Sequence, residues 1–293
     1  MNFLKKFSAA VVAVVVVVFT LGWGFWAHPV ISKEAVGLLP EPLKNFYSAN
    51  VDYLSKHSSD PDIRRNEDKN EGYYHYIDID KYGKYPNFDI PHSYDAAVKK
   101  YGADTVMKNG VVPWRVGWIT DSLTAAMKSG NVAEVLHFST DLSHYVADMH
   151  VPLHATENYD GQMTGNIGVH ARWESGIPEH FGSTYNFTGI DSASYIDNPV
   201  EHAFGIIMHS YSLIGKVFGA DSLAKSEIPK DQLYRVEERG GRKTYIYSED
   251  YYTKFNSALD GMVESQMRKA AKEVASYWYT AWVNAGKPKF WSN

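Results

Sequence analysis

A chain of 293 residues, 44% of them hydrophobic, can bury a sizeable core in one large or two ordinary domains. Its formal charge of −5 supplies no basic footprint for drawing in a nucleic-acid backbone, and the lack of any cysteine excludes disulfide scaffolds and thiolate metal sites. Twelve histidines are left as the nitrogen donors with which a metal would be bound.

At the N-terminus, Lys5 and Lys6 precede an apolar run from Ala9 to Leu21. That is the pattern of a secretory signal, and the run is shorter than the ~20 apolar residues of a membrane span. The expected cut lies between Gly22 and Trp23. It leaves a domain over 23–293 with no transmembrane anchor, exported to a periplasm or secreted. Loss of Lys5 and Lys6 takes the formal charge from −5 to −7.

In the mature chain helical periodicity dominates. Glu41 to Lys56 reads as one amphipathic helix with Leu43, Phe46, Tyr47, Val51 and Leu54 on its apolar side and Pro42 in its first turn. Tyr73 to Ile79 has the composition of a short strand. Val112 to Met127 reads as a helix ending near Gly130. Val132 to Met149 is the next, stopped ahead of Pro152 because the residue before proline disfavours helical backbone. The Gly/Ser/Asn-rich stretch 176–198 reads as loop. Pro199 to Phe218 is helical. Tyr234 to Tyr247 reads as a hairpin turning at Gly240-Gly241. One last helix is expected from about Asp250 to Ala285, stopped by Gly286 and Pro288. Its stripe of Leu259, Met262, Met267, Ala270, Val274, Tyr277 and Trp282 suits a core. The simplest account is a single all-α domain.

The chemistry concentrates in His144-x-x-x-Asp148-x-x-x-x-x-His154, followed by His170-x-x-x-Glu174. Residues four apart share a helix face, so each His/carboxylate pair can point at one centre. Imidazole with carboxylate and no thiolate suits zinc held for hydrolysis rather than for structure. Further candidate ligands lie upstream: His28, Asp60 or Asp62 beside Arg64 and Arg65, and His75. Each of these, taken singly, is as easily a core or turn residue. His137 and Asp141 form another such pair on the stripe of His144 and read as supporting or packing residues. His150 is out of phase with that face. His57, His92, His180, His202 and His209 have no assigned role.

Taken together, the pattern of Trp23-x-x-x-x-His28, an Asp and then His75-Tyr76, HxxxDxxxxxH and finally HxxxE, in that order, resembles the zinc-dependent phospholipase C / P1-type nuclease superfamily. The motifs cover Trp23 to Glu174, about half the chain. The resemblance implies a multi-helix domain with a trinuclear zinc cleft that hydrolyses phosphate esters, water activated by zinc attacking phosphorus. It implies one zinc on Asp62, His75, His144 and Asp148. A second would sit on Asp148, His28 and the amine and carbonyl of Trp23, and a third on His154, His170 and Glu174. Asp60 is the competing choice for Asp62. Asp148 would bridge two metals, Asp62 could also serve as a base, and Arg65, or alternatively Arg64, would bind a phosphate oxygen.

The substrate signals are mixed. Glu174 and the short stretch between His154 and His170 resemble the bacterial phospholipases. The segment Met149 to His154 and the Asp62/Arg65 spacing resemble the nucleases. The balance leans to a phospholipid substrate, with single-stranded nucleic acid as the alternative and a non-catalytic zinc-binding protein on the same fold as a third reading. No stable protein partner is implied.

Overall fold

The computed structural model describes residues 24–239 and 242–289. The expected signal and Trp23 lie outside the described residues, as do Gly240 and Gly241. Helix makes up 66% and strand 5%, an all-α class. No described helix is long and apolar enough to cross a membrane.

The chain starts with α1 (Gly24–Gly37), α2 (Leu43–Ala49), α3 (Val51–His57) and the short α4 (Asp60–Arg64). Two-residue strands β1 (Gly83–Lys84) and β2 (Asn87–Phe88) pair antiparallel. Then follow α5 (Tyr94–Tyr101), α6 (Ala103–Lys108), α7 (Val112–Ser129) and α8 (Val132–Asp148). After a loop come α9 (Val169–Ala171), a π-turn over Arg172–Gly176, and α10 (Ile177–Phe181). The C-terminal part holds α11 (Pro199–Ser226), the hairpin β3 (Tyr234–Arg239) and β4 (Arg242–Tyr247), α12 (Glu249–Leu259) and α13 (Met262–Asn284).

Two expected helices are each broken in two, for local reasons. Glu41 to Lys56 divides at Asn50, whose φ of −116° leaves the helical range. The register is retained, so Leu43, Phe46, Tyr47 and Leu54 still reach the core. The C-terminal helix divides where Asp260 and Gly261 both take positive φ, 53° and 70°. Asp and Gly tolerate the left-handed region that other residues avoid. Tyr73 to Ile79 is not a strand but a 3-10 turn over Glu71–Tyr74 leading into irregular backbone. The stretch 176–198 is loop only in its later part, since Ile177–Phe181 is helical. The helix from Pro199 runs on to Ser226 because Ala220, Asp221 and Ala224 are buried by neighbours.

Caps close α7 and open α8. Gly130, in the left-handed conformation, closes α7, and the Asn131 side chain accepts from Glu134 N at the start of α8. The hairpin register runs from Tyr234↔Tyr247 to Arg239↔Arg242. The buried side chains form one cluster that reaches from Ala27 to Trp282. At its centre the Trp278 ring stacks on Tyr47 at 4.6 Å, and its Nε1 donates to Ser139 O at 3.0 Å. This ties α13, α2 and α8 together, and α8 carries the pair His144/Asp148.

Candidate metal centre

Six separate pieces of chain bring their donors to one place. The end of α8 supplies His144 and Asp148, α1 supplies His28, and α4 supplies Asp62. The residue after the Glu71–Tyr74 turn supplies His75, and a 3-10 turn over Pro152–Ala155 supplies His154. The segments of His75 and His154 are bonded to each other: Ile77 N donates to His154 O at 2.9 Å, and His154 Nδ1 donates to His75 O at 2.6 Å. His170 and Glu174 arrive from α9 and the π-turn.

These donors form three groups that could hold metal ions: His28, His144 and Asp148; Asp62, His75 and His144; and His154, His170 and Glu174. Within each group the ligand atoms lie within 4.8 Å of one another. The first two groups meet at the Asp148 carboxylate. Its Oδ1 is 3.5 Å from His28 Nε2, and its Oδ2 is 2.9 Å from His75 Nδ1 and 3.3 Å from His144 Nε2. Oδ1 thus faces His28, while Oδ2 faces His75 and His144, the residue the two groups share. In the third group, His154 Nε2 is 3.1 Å from His170 Nε2 and 3.5 Å from Glu174 Oε1, and His170 Nε2 is 2.7 Å from Glu174 Oε2.

The residues fit a metal on two counts. First, buried polar atoms converge without hydrogen-bond partners: His28 Nε2, Asp62 Oδ1 and Asp148 Oδ1. Buried polar groups are otherwise nearly always paired. Second, two of the imidazoles are already oriented through their other nitrogen. His144 Nδ1 bonds Ser58 O at 2.8 Å and His154 Nδ1 bonds His75 O, which turns both Nε2 lone pairs inward.

Electrostatics bind the cluster as well. Burial alone would raise the Asp148 carboxyl, but His144 and His154 outweigh it and hold it well below the usual range. Burial is likewise opposed at Glu174, which His170 and His154 bring down to about 2. Burial would lower His144 and His154, yet Asp148 with Asp62, and Asp148 with Glu174, raise them to about 9. Burial and the neighbouring His144 push His28 down to about 3.

Of the alternatives left open in the sequence, Asp62 is buried in the cluster, whereas Asp60 bonds His57 Nδ1 at 2.8 Å outside it. Arg64 makes two bonds to Asp141, at 3.0 and 2.7 Å, and is held there. Arg65 Nη1 stands 3.5 Å from Asp62 Oδ1, and Arg65 lines the cleft. His150 is buried away from the three groups. His92, His180 and His202 pair with Glu201, Glu249 and Glu273.

Glu71 and Tyr145 belong to none of the sequence motifs. Glu71 is buried 3.7 Å from His75 Nε2 and accepts a bond from the Tyr145 hydroxyl. Burial would raise its carboxyl, but the neighbouring His75, the bond from Tyr145 and the nearby Arg64 bring it down to about 2. It therefore braces His75 from behind as an anion. Tyr76 and Asp78 line a cavity of about 250 Å³ together with Arg65, Tyr159, His154, His170 and Glu174. Burial, with Asp80 and Glu157 adding to it, raises the Asp78 carboxyl to about 7. The i,i+4 spacing of Glu71 and His75 was the one available sequence signal for the brace.

Gly110 fixes this wall. Its φ is +84°, and a Cβ there would lie 2.2 Å from the Tyr76 carbonyl oxygen. Gly110→Ala is expected to lower stability by at least ~1–3 kcal/mol through backbone strain, before any shift of Tyr76 is counted. Chemical denaturation measures this; an unchanged midpoint would contradict the close approach.

No protein-family model matches the chain, and no curated protein matches it.

Proposed function

We propose that this protein is an exported, zinc-dependent phosphodiester hydrolase, holding three zinc ions and built on the fold of the phospholipase C / P1-type nuclease superfamily. The observation that supports it is the adjacency of three His/carboxylate groups, two of them brought together around Asp148, with His75, His154, His170 and Glu174 lining a cleft that Arg65 borders. His28 and Asp148 with Trp23, then Asp62, His75, His144 and Asp148, then His154, His170 and Glu174 would hold the metals. Zinc in such a paired and single arrangement supplies a nucleophile from water at neutral pH and charge to clamp phosphoryl oxygens. Asp62 doubles as an acceptor for the proton of the attacking water. The planar fork of Arg65 binds a non-bridging phosphate oxygen at the cleft edge.

The first substrate reading is a phospholipid. Tyr76 and Tyr159 give aromatic walls and Asp78 a carboxyl, a pairing suited to a cationic headgroup. The adjoining loop exposes Tyr159, Met163 and Ile167 as an apolar rim. The second reading, single-stranded nucleic acid, is favoured by the same two tyrosine faces, since base stacking on aromatics is worth ~1–3 kcal/mol per base.

The test is hydrolysis of a chromogenic phosphodiester with and without chelator, then of phosphatidylcholine and single-stranded DNA side by side. Chelator-sensitive turnover with diacylglycerol release is expected. Release of nucleotides without diacylglycerol would move the substrate to the second reading, and no chelator-sensitive turnover would leave a zinc-binding protein. Arg65→Ala is expected to reduce kcat/KM about 10–100-fold, the equivalent of one charge-assisted hydrogen bond of ~1.5–3 kcal/mol. Steady-state kinetics on the chromogenic ester check this, and wild-type kinetics in Arg65→Ala would remove Arg65 from the site.

A further inference from the structure

The third donor group rests on unusual backbone. His170 is the middle residue of the three-residue α9, and Glu174 lies inside the π-turn Arg172–Gly176. Such π-turns are rare and occur mostly as single turns inside helices, as here between α9 and α10, frequently at functional sites. His170 also lacks the device that orients His144 and His154: its Nδ1 has no hydrogen-bond partner. Its direction therefore has to come from the backbone that carries it.

Arg172, between the two ligands, points away from the cleft into a buried polar knot. Its Nε donates to the Tyr251 hydroxyl at 2.8 Å and its Nη1 to Ile167 O at 2.9 Å. Its Nη2 donates to Asn166 O at 3.1 Å and to Asp221 Oδ1 at 2.8 Å. The Tyr247 ring covers the guanidinium at 4.5 Å. Asp221 also accepts from Tyr251, and from Asn166 and Lys225 at 2.7 Å each. Space is kept for this head group, since a Cβ on Gly168, whose φ is +80°, would sit 2.7 Å from Arg172 Nη1. None of Asp221, Tyr247 and Tyr251 lines the cleft.

We infer that Arg172 is a positioning residue: clamped by Asp221, Tyr251 and the carbonyls of Asn166 and Ile167, it fixes the turn that aims His170 and Glu174 at the third metal. This rests on the zinc reading above. A planar guanidinium tied to four separate groups sets both the position and the rotation of the turn, which a flexible ammonium would not do.

The test is zinc bound per chain, measured across a series of zinc buffers, with thermal melting alongside. Tyr251→Phe removes one hydroxyl from the knot, and Arg172→Lys keeps the charge without the fork. Each is expected to weaken one zinc of three by about 10–100-fold and leave the other two unchanged, as changes behind a metal ligand do. Tyr277→Phe removes a hydroxyl bonded to Pro199 O far from the turn and serves as the control. It should retain all three affinities whatever its melting temperature. Three wild-type affinities in both Tyr251→Phe and Arg172→Lys overturn the inference, and so does an equal loss of all three. Wild-type protein that binds no zinc overturns instead the metal reading on which it rests.

Discussion

Asp148→Asn is expected to abolish most activity and to disturb two metals at once. The substitution keeps the side-chain shape but replaces one carboxylate oxygen with an amide nitrogen that cannot ligate a cation. Oδ1 and Oδ2 face different donor groups, so whichever oxygen is lost, one group loses a donor and both lose the negative charge they share. Changes in residues behind ligands already cost ~10–100-fold in metal affinity or activity, so a fall of at least about 100-fold in turnover is the expected floor. Glu174→Ala should weaken a single zinc and leave the pair, because Glu174 belongs only to the group of His154 and His170. Metal analysis of purified protein with turnover of a chromogenic phosphodiester measures both. A full metal complement and near wild-type turnover in Asp148→Asn would end the paired-metal account.

Asp221→Ala should produce the largest loss of stability. The carboxylate is fully buried and accepts from Arg172, Tyr251, Asn166 and Lys225. Its removal leaves the Arg172 charge buried without its counter-ion, a change that typically costs ~3–5 kcal/mol. Chemical denaturation at neutral pH measures it. The pH dependence carries a definite sign. Burial by itself would raise the Asp221 carboxyl, but Arg172, with Lys225 and Tyr251, brings it below its ordinary value. A depressed folded-state value means that the stabilisation is complete above the unfolded carboxylate value of about 3.9. It is lost as pH falls below that value through the folded one. The gap between wild type and Asp221→Asn should therefore narrow on acidification below about pH 4. A gap that widens there would show that the carboxylate is not held ionised by the knot.

What the sequence determined by itself is the part of the protein governed by short-range spacing. Periodicity, with the stop signals Gly130 and Pro152, placed α7 and α8 to within a residue or two, because such signals act within about a turn of the helix ends. The i,i+4 rule put His144 with Asp148 and His170 with Glu174, because a helix brings such residues onto one side wherever it occurs. Three further matters were decided only by the tertiary structure. The helix holding His28 contains Pro29, a residue that ordinarily disfavours a helix interior; Ala27, Ile31 and Ala35 are buried because α1 lies against α13 and α8. The burial of Asp62 in the cluster with Asp60 outside it, and the place of Arg65 rather than Arg64 at the cleft, rest on contacts distant in the chain, such as that of Arg64 with Asp141, 77 residues on. Local pattern carries no record of such partners. The surroundings of the candidate ligands were nearly as hidden. Apart from the i,i+4 spacing of Glu71 and His75, the residues Glu71 and Tyr145 beside His75, and Arg172, Asp221 and Tyr251 near His170 and Glu174, are common residue types at uninformative spacings. They gain their roles only where burial removes water and leaves each polar atom dependent on a partner brought from elsewhere in the chain.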